Sequence, residues 1–307
     1  MRVEFGNWIY FLCIALAACL SALLVLLCRK KGQVFAYKFV MVLVWANFAL
    51  HFLKQFLPFY ISRWPWGLVD SAFPNLCAVL IFLAPFIMLS KNKYLMDYFC
   101  LLGFVSGVLV YFVPTGATRT DVSGFDYVFE TVRFYLCHFP LIVCPLIIVT
   151  SRIHRLNWRR LWMVPLIFGA ILALISLQQF LCGPILKLDG HPHEWLGENG
   201  VLNPHNPFAI MSNQSMQFGP QPGVDPILGW LYPYYLPYVL TFPYGGQIYF
   251  VPVLWILPII YLATYLFGPL LCMPFEHEAM KRDFQSFKAR IKRKKSGGEG
   301  DKINNTR

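Results

Sequence analysis

Seven apolar stretches dominate this sequence: Trp8–Cys28, Phe35–Phe56, Phe73–Leu89, Leu95–Val113, Val128–Thr150, Leu161–Leu181 and Tyr249–Cys272. Each is close to the roughly 17–25 residues that a helix needs to cross the hydrocarbon core of a bilayer. In lipid, only helices and closed barrels satisfy every backbone N–H and C=O. Runs of this length therefore specify an all-α membrane protein, a bundle of seven transmembrane helices. The third run is short, and its helix is expected to begin a turn earlier, near Leu68. A further aromatic stretch, Ile227–Tyr244, is interrupted by Pro233, Pro237 and Pro243. It reads as an interfacial or re-entrant segment inside a long loop, about 183–248. The organisation expected is a membrane domain over residues 1–275, followed by a basic tail over 276–307.

Composition excludes the soluble alternatives. Only 13% of the 307 residues are charged, against roughly a quarter in soluble domains. The net charge of +11 could suggest nucleic acid, but ten of the 26 basic residues follow Pro274. No base-reading module accompanies them, so no nucleic-acid partner is expected. The first apolar run is too long for a signal-peptide core and leads directly into Arg29-Lys30-Lys31, so it reads as a retained anchor.

Charge asymmetry sets the expected orientation. The connections after spans one, three and five, together with the tail, hold nineteen Lys and Arg. The opposite face holds five: Arg2, Lys54, Arg63, Arg119 and Lys187. The N-terminus is therefore expected outside and the C-terminus in the cytoplasm. Most of the nine cysteines fall within spans, and no CxxC occurs. Neither a disulfide framework nor a zinc site follows.

Polar residues inside spans face protein or water, because exposing a charge to acyl chains costs roughly 2.5–3.5 kcal/mol. Here they gather in the outer half. His51, Lys54 and Gln55 share one face of span two; Asp70, Asn75 and Cys77 open span three; Glu130, Arg133 and His138 lie in span five; Gln178 and Gln179 close span six. The expectation is a polar pocket towards the external leaflet, its ligand contacts drawn from Arg133, Lys54, His51, Asn75 and Gln178. Within it, Cys77 and His138 form a candidate nucleophile and base, since a thiolate needs a proton acceptor and a positive neighbour. Packing roles for both residues stay open at this point, as does a lipid or amphiphile binder or transporter using the same pocket. A seven-span receptor has little support without an inner Asp-Arg-Tyr or Asn-Pro-x-x-Tyr.

Other signals are weaker. His191-Pro-His193-Glu194 has donor atoms but no further ligands at characteristic spacing, so no metal is expected. Asn213-Gln-Ser215 is a glycosylation sequon, meaningful in a secretory-pathway host. In the tail, Lys281–Lys295 carries eight basic residues with Phe284, Phe287 and Ile291 at helical spacing. That pattern suits an amphipathic helix on anionic lipid headgroups. No Walker, GxGxxG, HExxH or GxSxG motif occurs, which leaves nucleotide-driven transport and the common hydrolase mechanisms without support.

The order of Phe73-Pro-Asn-Leu-Cys77, Phe82-Leu-Ala-Pro85, Leu89-Ser-Lys-Asn-Lys93, Gly103–Pro114 and Phe134-Tyr-Leu-Cys-His138 with Pro145 resembles the YwaF-like integral membrane proteins. This family is a bacterial group with a eukaryotic transmembrane branch. The likeness covers about Phe73–Phe180. It implies a seven-span fold, a bacterial plasma membrane as host, and no cofactor. In the eukaryotic branch it implies acyl transfer to lysophospholipids through a cysteine and a histidine, which here would be Cys77 and His138. Membrane phospholipid and lysophospholipid are then the implied partners. Asn75 stands where the family often has a histidine.

Overall fold

A computed structural model describes residues 2–62, 76–114, 117, 124–181, 241–244, 247–250 and 253–303. Helix α1, Trp8–Lys31, starts at Asn7, whose side chain accepts a hydrogen bond from the Tyr10 amide at 2.9 Å. It ends on Arg29, Lys30 and Lys31, cations that complement the negative end of the helix dipole. Gly32 then turns the chain at φ +91°, and α2, Gln33–Leu53, begins at the next residue. Only a residue without Cβ adopts that corner freely. A 3₁₀ turn, Lys54–Phe56, leads on to the short α3, Pro58–Ile61.

Helix α4, Leu76–Ser90, ends at Lys91, and Asn92 caps the next helix by accepting from the amides of Tyr94 and Leu95. That helix, α5 (Lys93–Phe112), is widened by a π turn over Phe99–Gly103. Next come α6, Gly124–Thr150, a 3₁₀ turn at Trp158–Arg160, and α7, Met163–Phe180. Of α6's most apolar stretch 67% is buried, against 17% for α1. So α6 is the central helix, and α1 presents Trp8, Phe11, Leu16 and Leu23 outwards. The α5–α6 contact is close: a Cβ added at Gly107 would stand 2.9 Å from Ile142 Cγ1 and 3.0 Å from Leu141 Cβ.

The last apolar run differs from expectation. Tyr249 and Phe250 belong to strand β2, Gln247–Phe250, which pairs antiparallel with β1, Thr241–Tyr244. The final helix, α8, starts at Val253 and continues to Ile303, bending at Glu276 (φ −126°, ψ 16°) just after Pro274. The end of the expected re-entrant segment, Thr241–Tyr244, is thus a hairpin strand. A β-branched and aromatic run is apolar in either conformation, so hydrophobicity alone did not separate strand from helix. The rest of that segment, His191–Glu194, the Asn213 sequon, Asp70 and Asn75 lie outside the described residues.

Among the described residues, four helical stretches are long and apolar enough to cross a membrane: Trp8–Lys31, Gln33–Phe56, Lys93–Phe112 and Gly124–Thr150. Leu76–Ser90 and Met163–Ile175 are shorter apolar helices. Their ends meet in two layers. At one, the Val3 amide donates to the Tyr127 hydroxyl at 2.7 Å, and the Tyr10 hydroxyl donates to the Phe112 carbonyl at 2.9 Å. At the other, the Gln33 amide side chain donates to the Arg152 carbonyl at 2.9 Å, and Arg160 and His154 both reach Asp97. The second layer carries the Lys- and Arg-rich connections.

Candidate functional site

Helix α2 turns one buried face towards α6. Asn47, His51 and Lys54, spaced i, i+4 and i+7, are each at least 94% buried, as the helical repeat requires of residues sharing a side. Asn47 donates from Nδ2 to the Cys137 carbonyl at 2.8 Å. Two turns away along α6, Glu130 accepts from the Tyr60 hydroxyl at 3.1 Å and from Arg133 through both Nε and a terminal nitrogen. The Lys54 ammonium stands 5.6 Å from the centre of the Tyr60 ring. The Arg133 guanidinium lies beside the Cys137 thiol, and the charges of Arg133 and Lys54 act on both Cys137 and His138. Two cations, one carboxylate, a phenol, a thiol and an imidazole thus converge between α2, α3 and α6.

His138 is buried, with its ring tilted against that of Phe134 at 4.5 Å between centroids. Its Nδ1 lies 2.6 Å from the Phe134 carbonyl oxygen. A carbonyl only accepts, so Nδ1 carries the hydrogen and the neutral ring keeps its lone pair on Nε2. Cys77, also buried, is on α4, with the Ser106 side chain of α5 beside its thiol. Ser106 donates to the Gly103 carbonyl at 3.0 Å, where the π turn ends.

Depth relates the two. Cys77 and Ser106 lie thirteen residues from Ser90 and Lys93, and His138 lies twelve from Thr150. At about 1.5 Å rise per residue, all three are about 18–20 Å from the basic layer. No hydrogen bond among the described residues joins Cys77 to His138. The cations expected near Cys77 act on Cys137 and His138, while the partner of Cys77 is Ser106. Gln178 on α7 is half-buried, and its Nε2 is buried without a hydrogen-bond partner among the described residues. No described hydrogen bond ties it to the α2–α6 cluster.

Two features escaped the reading of the sequence. One is Cys137, whose i+4 spacing from Arg133 places the two on one face of α6. Ser106 carried no local signal, since its partner is on another helix. Among the described residues, no group of three or more His, Cys, Asp and Glu side chains is arranged to hold a metal ion.

The sequence model of the TMEM164 family matches residues 3–183, more than half of the chain, including every described residue of this cluster. Searches of curated proteins and of solved structures returned no match.

Proposed function

The chain belongs to the TMEM164 family, whose members are transmembrane proteins, and on that premise we propose that it is a membrane-embedded acyltransferase acting on phospholipids. The reading takes the seven-span bundle with an external N-terminus and a cytoplasmic tail, as the YwaF-like resemblance and the Lys/Arg asymmetry imply. The observation that carries it is the pairing of depth and tautomer: Cys77 and His138 share a level in the bundle, and the Nδ1 bond to Phe134 leaves Nε2 as the proton acceptor. The resemblance also favours a bacterial plasma membrane. A glycan on Asn213 of the native protein would instead assign it to the secretory pathway.

His138 Nε2 takes the Cys77 proton, and the thiolate attacks the carbonyl carbon of a donor acyl ester. The new C–S bond forms, the ester C–O bond breaks, and the departing lysolipid oxygen takes the proton back from the imidazolium. An acceptor lysolipid hydroxyl then gives its proton to Nε2 and attacks the thioester, returning the thiol. No cofactor or metal enters this cycle. For the histidine to reach the thiol, the two side chains must close on each other when substrate binds. Catalytic hydrogen bonds are often formed only in the substrate complex.

The test is acyl-adduct formation by purified protein with a phospholipid donor, read by intact mass and hydroxylamine release. Cys77→Ala should abolish the adduct, and His138→Gln should slow its formation by about 10²–10⁴-fold, both with normal membrane insertion. An adduct retained in Cys77→Ala would remove Cys77 from the mechanism. The gathering of Arg133 and Lys54 at the α2–α6 cluster favours a second reading, a lipid or amphiphile binder without covalent chemistry. That reading expects lysolipid to raise the Tm equally in wild type and Cys77→Ala, and less in Lys54→Gln.

A further inference from the structure

Two cations hold a backbone conformation that normally belongs to glycine. Lys91 ends α4 at φ +50° and Arg152 follows α6 at φ +58°. Lys91 is the first residue past its helix and Arg152 the second, each with the hydrogen bonds of a left-handed cap. The Lys91 amide donates to the Ile87 carbonyl at 3.2 Å; those of Arg152 and Ile153 donate to Val149 at 3.1 Å and Ile148 at 2.9 Å. Glycine is preferred at such positions because a Cβ there is strained. Non-glycine residues held in sparsely populated conformations cluster at ligand sites.

Both corners border one pocket in the basic layer, far along the bundle from Cys77 and His138. Its volume is about 310 Å³, within the roughly 300–1,000 Å³ of small-molecule sites. Gln33, Tyr37, Lys91 and His154 line it together with the apolar Met88 and Met96. The charges within it have settled. Asp97 is held by Arg160 and His154, and the Arg152 carbonyl is taken by the Gln33 side chain. What faces the pocket is the Lys91 ammonium, 5.9 Å from the centre of the Tyr37 ring, above thioether walls.

We propose that this pocket binds an anionic phospholipid of the leaflet at the basic face, its phosphate held by Lys91 and its glycerol and upper acyl carbons lying against Met88 and Met96. Three features point to a lipid: the pocket lies where α4 ends and α2 and α5 begin, it joins a cation to an apolar wall, and it sits among a concentration of basic residues. Basic pockets between spans on that face recruit such headgroups. The site is independent of any acyl-transfer chemistry.

The experiment uses the full chain in phosphatidylcholine nanodiscs doped with phosphatidylglycerol, with retained lipid counted by native mass spectrometry. Lys91→Gly and Lys91→Asn both accept the left-handed corner, so the fold and Tm should hold or improve. Phosphatidylglycerol retention should fall about fivefold, the worth of one basic residue near anionic lipid, with phosphatidylcholine unchanged. Lys91→Arg should retain it. Wild-type retention in Lys91→Gly, or an equal loss of both lipids, overturns the proposal. So does inorganic phosphate alone raising the Tm as much as phosphatidylglycerol, because the site would then be one for free phosphate.

Discussion

Asp283 in the tail and Arg159 before α7, 124 residues apart, form a two-pronged ion pair. The Trp158 indole N–H donates to the same carboxylate at 3.0 Å, and the Trp158 amide donates to Glu276 at 3.2 Å. The tail helix is thereby pinned to the basic face immediately beyond its bend. Phe284 and Phe287 stay 64% and 60% exposed, so the helix keeps an uncovered apolar edge.

This latch should open in acid. The Arg159 hydrogen bond holds the Asp283 carboxyl below its ordinary value. A depressed carboxylate contributes its full stabilisation above the unfolded value, near about 4, and loses it as pH falls through the folded value. A fluorescence or spin-label distance between the tail and the Trp158 turn should stay short at pH 7, lengthen below about pH 4, and be long at all pH in Asp283→Asn. Added salt should act in the same direction, since Arg159 is 65% exposed and exposed charges are screened. A distance indifferent to pH and to the substitution would rule the latch out.

The Glu130–Arg133 pair should show strong coupling. Both side chains are largely buried, at 6% and 17% exposure. Removing one partner leaves a desolvated charge, so Glu130→Gln is expected to cost about 3 kcal/mol in detergent unfolding. The double variant Glu130→Gln/Arg133→Met should cost less than the sum of the single ones. Strict additivity would mean that the pair is already solvated.

Gly107→Ala should destabilise by about 1–3 kcal/mol. Its new methyl would meet Ile142 Cγ1, Leu141 Cβ and the Ile142 backbone nitrogen at 2.9–3.1 Å, and backbone cannot step aside as a side-chain tip can. Adding Ile142→Ala should restore part of the Tm. An unshifted Tm in Gly107→Ala would show that α5 and α6 are not packed this closely.

Arg152→Gly should raise stability by about 1 kcal/mol, because the left-handed corner is strained for any side chain with Cβ. A lower Tm in that variant would mean that the guanidinium makes contacts outweighing the strain.

Much of the bundle was legible from apolar run length. The observed ends of α1 and α7, and the C-terminal end of α4, fall within three residues of those expected, because Gly32, Lys91 and Asn92 mark corners where apolar runs stop. The last run was extended too far, since Tyr249 and Phe250 are as apolar in a strand as in a helix. The α2 face with His51 and Lys54 followed from helical spacing. What spacing could not supply was partnership across the bundle: Cys77 with Ser106, Tyr60 with Glu130, and Asp97 with Arg160 are pairs between elements, set by packing rather than by local sequence.

Gly32 alone joins α1 to α2. With φ at +91° that link is a stiff elbow, and a residue carrying Cβ at position 32 would have to be forced into it. Lengthening the elbow is expected to let the two rods slide past one another and so to blur the register of the seam between them.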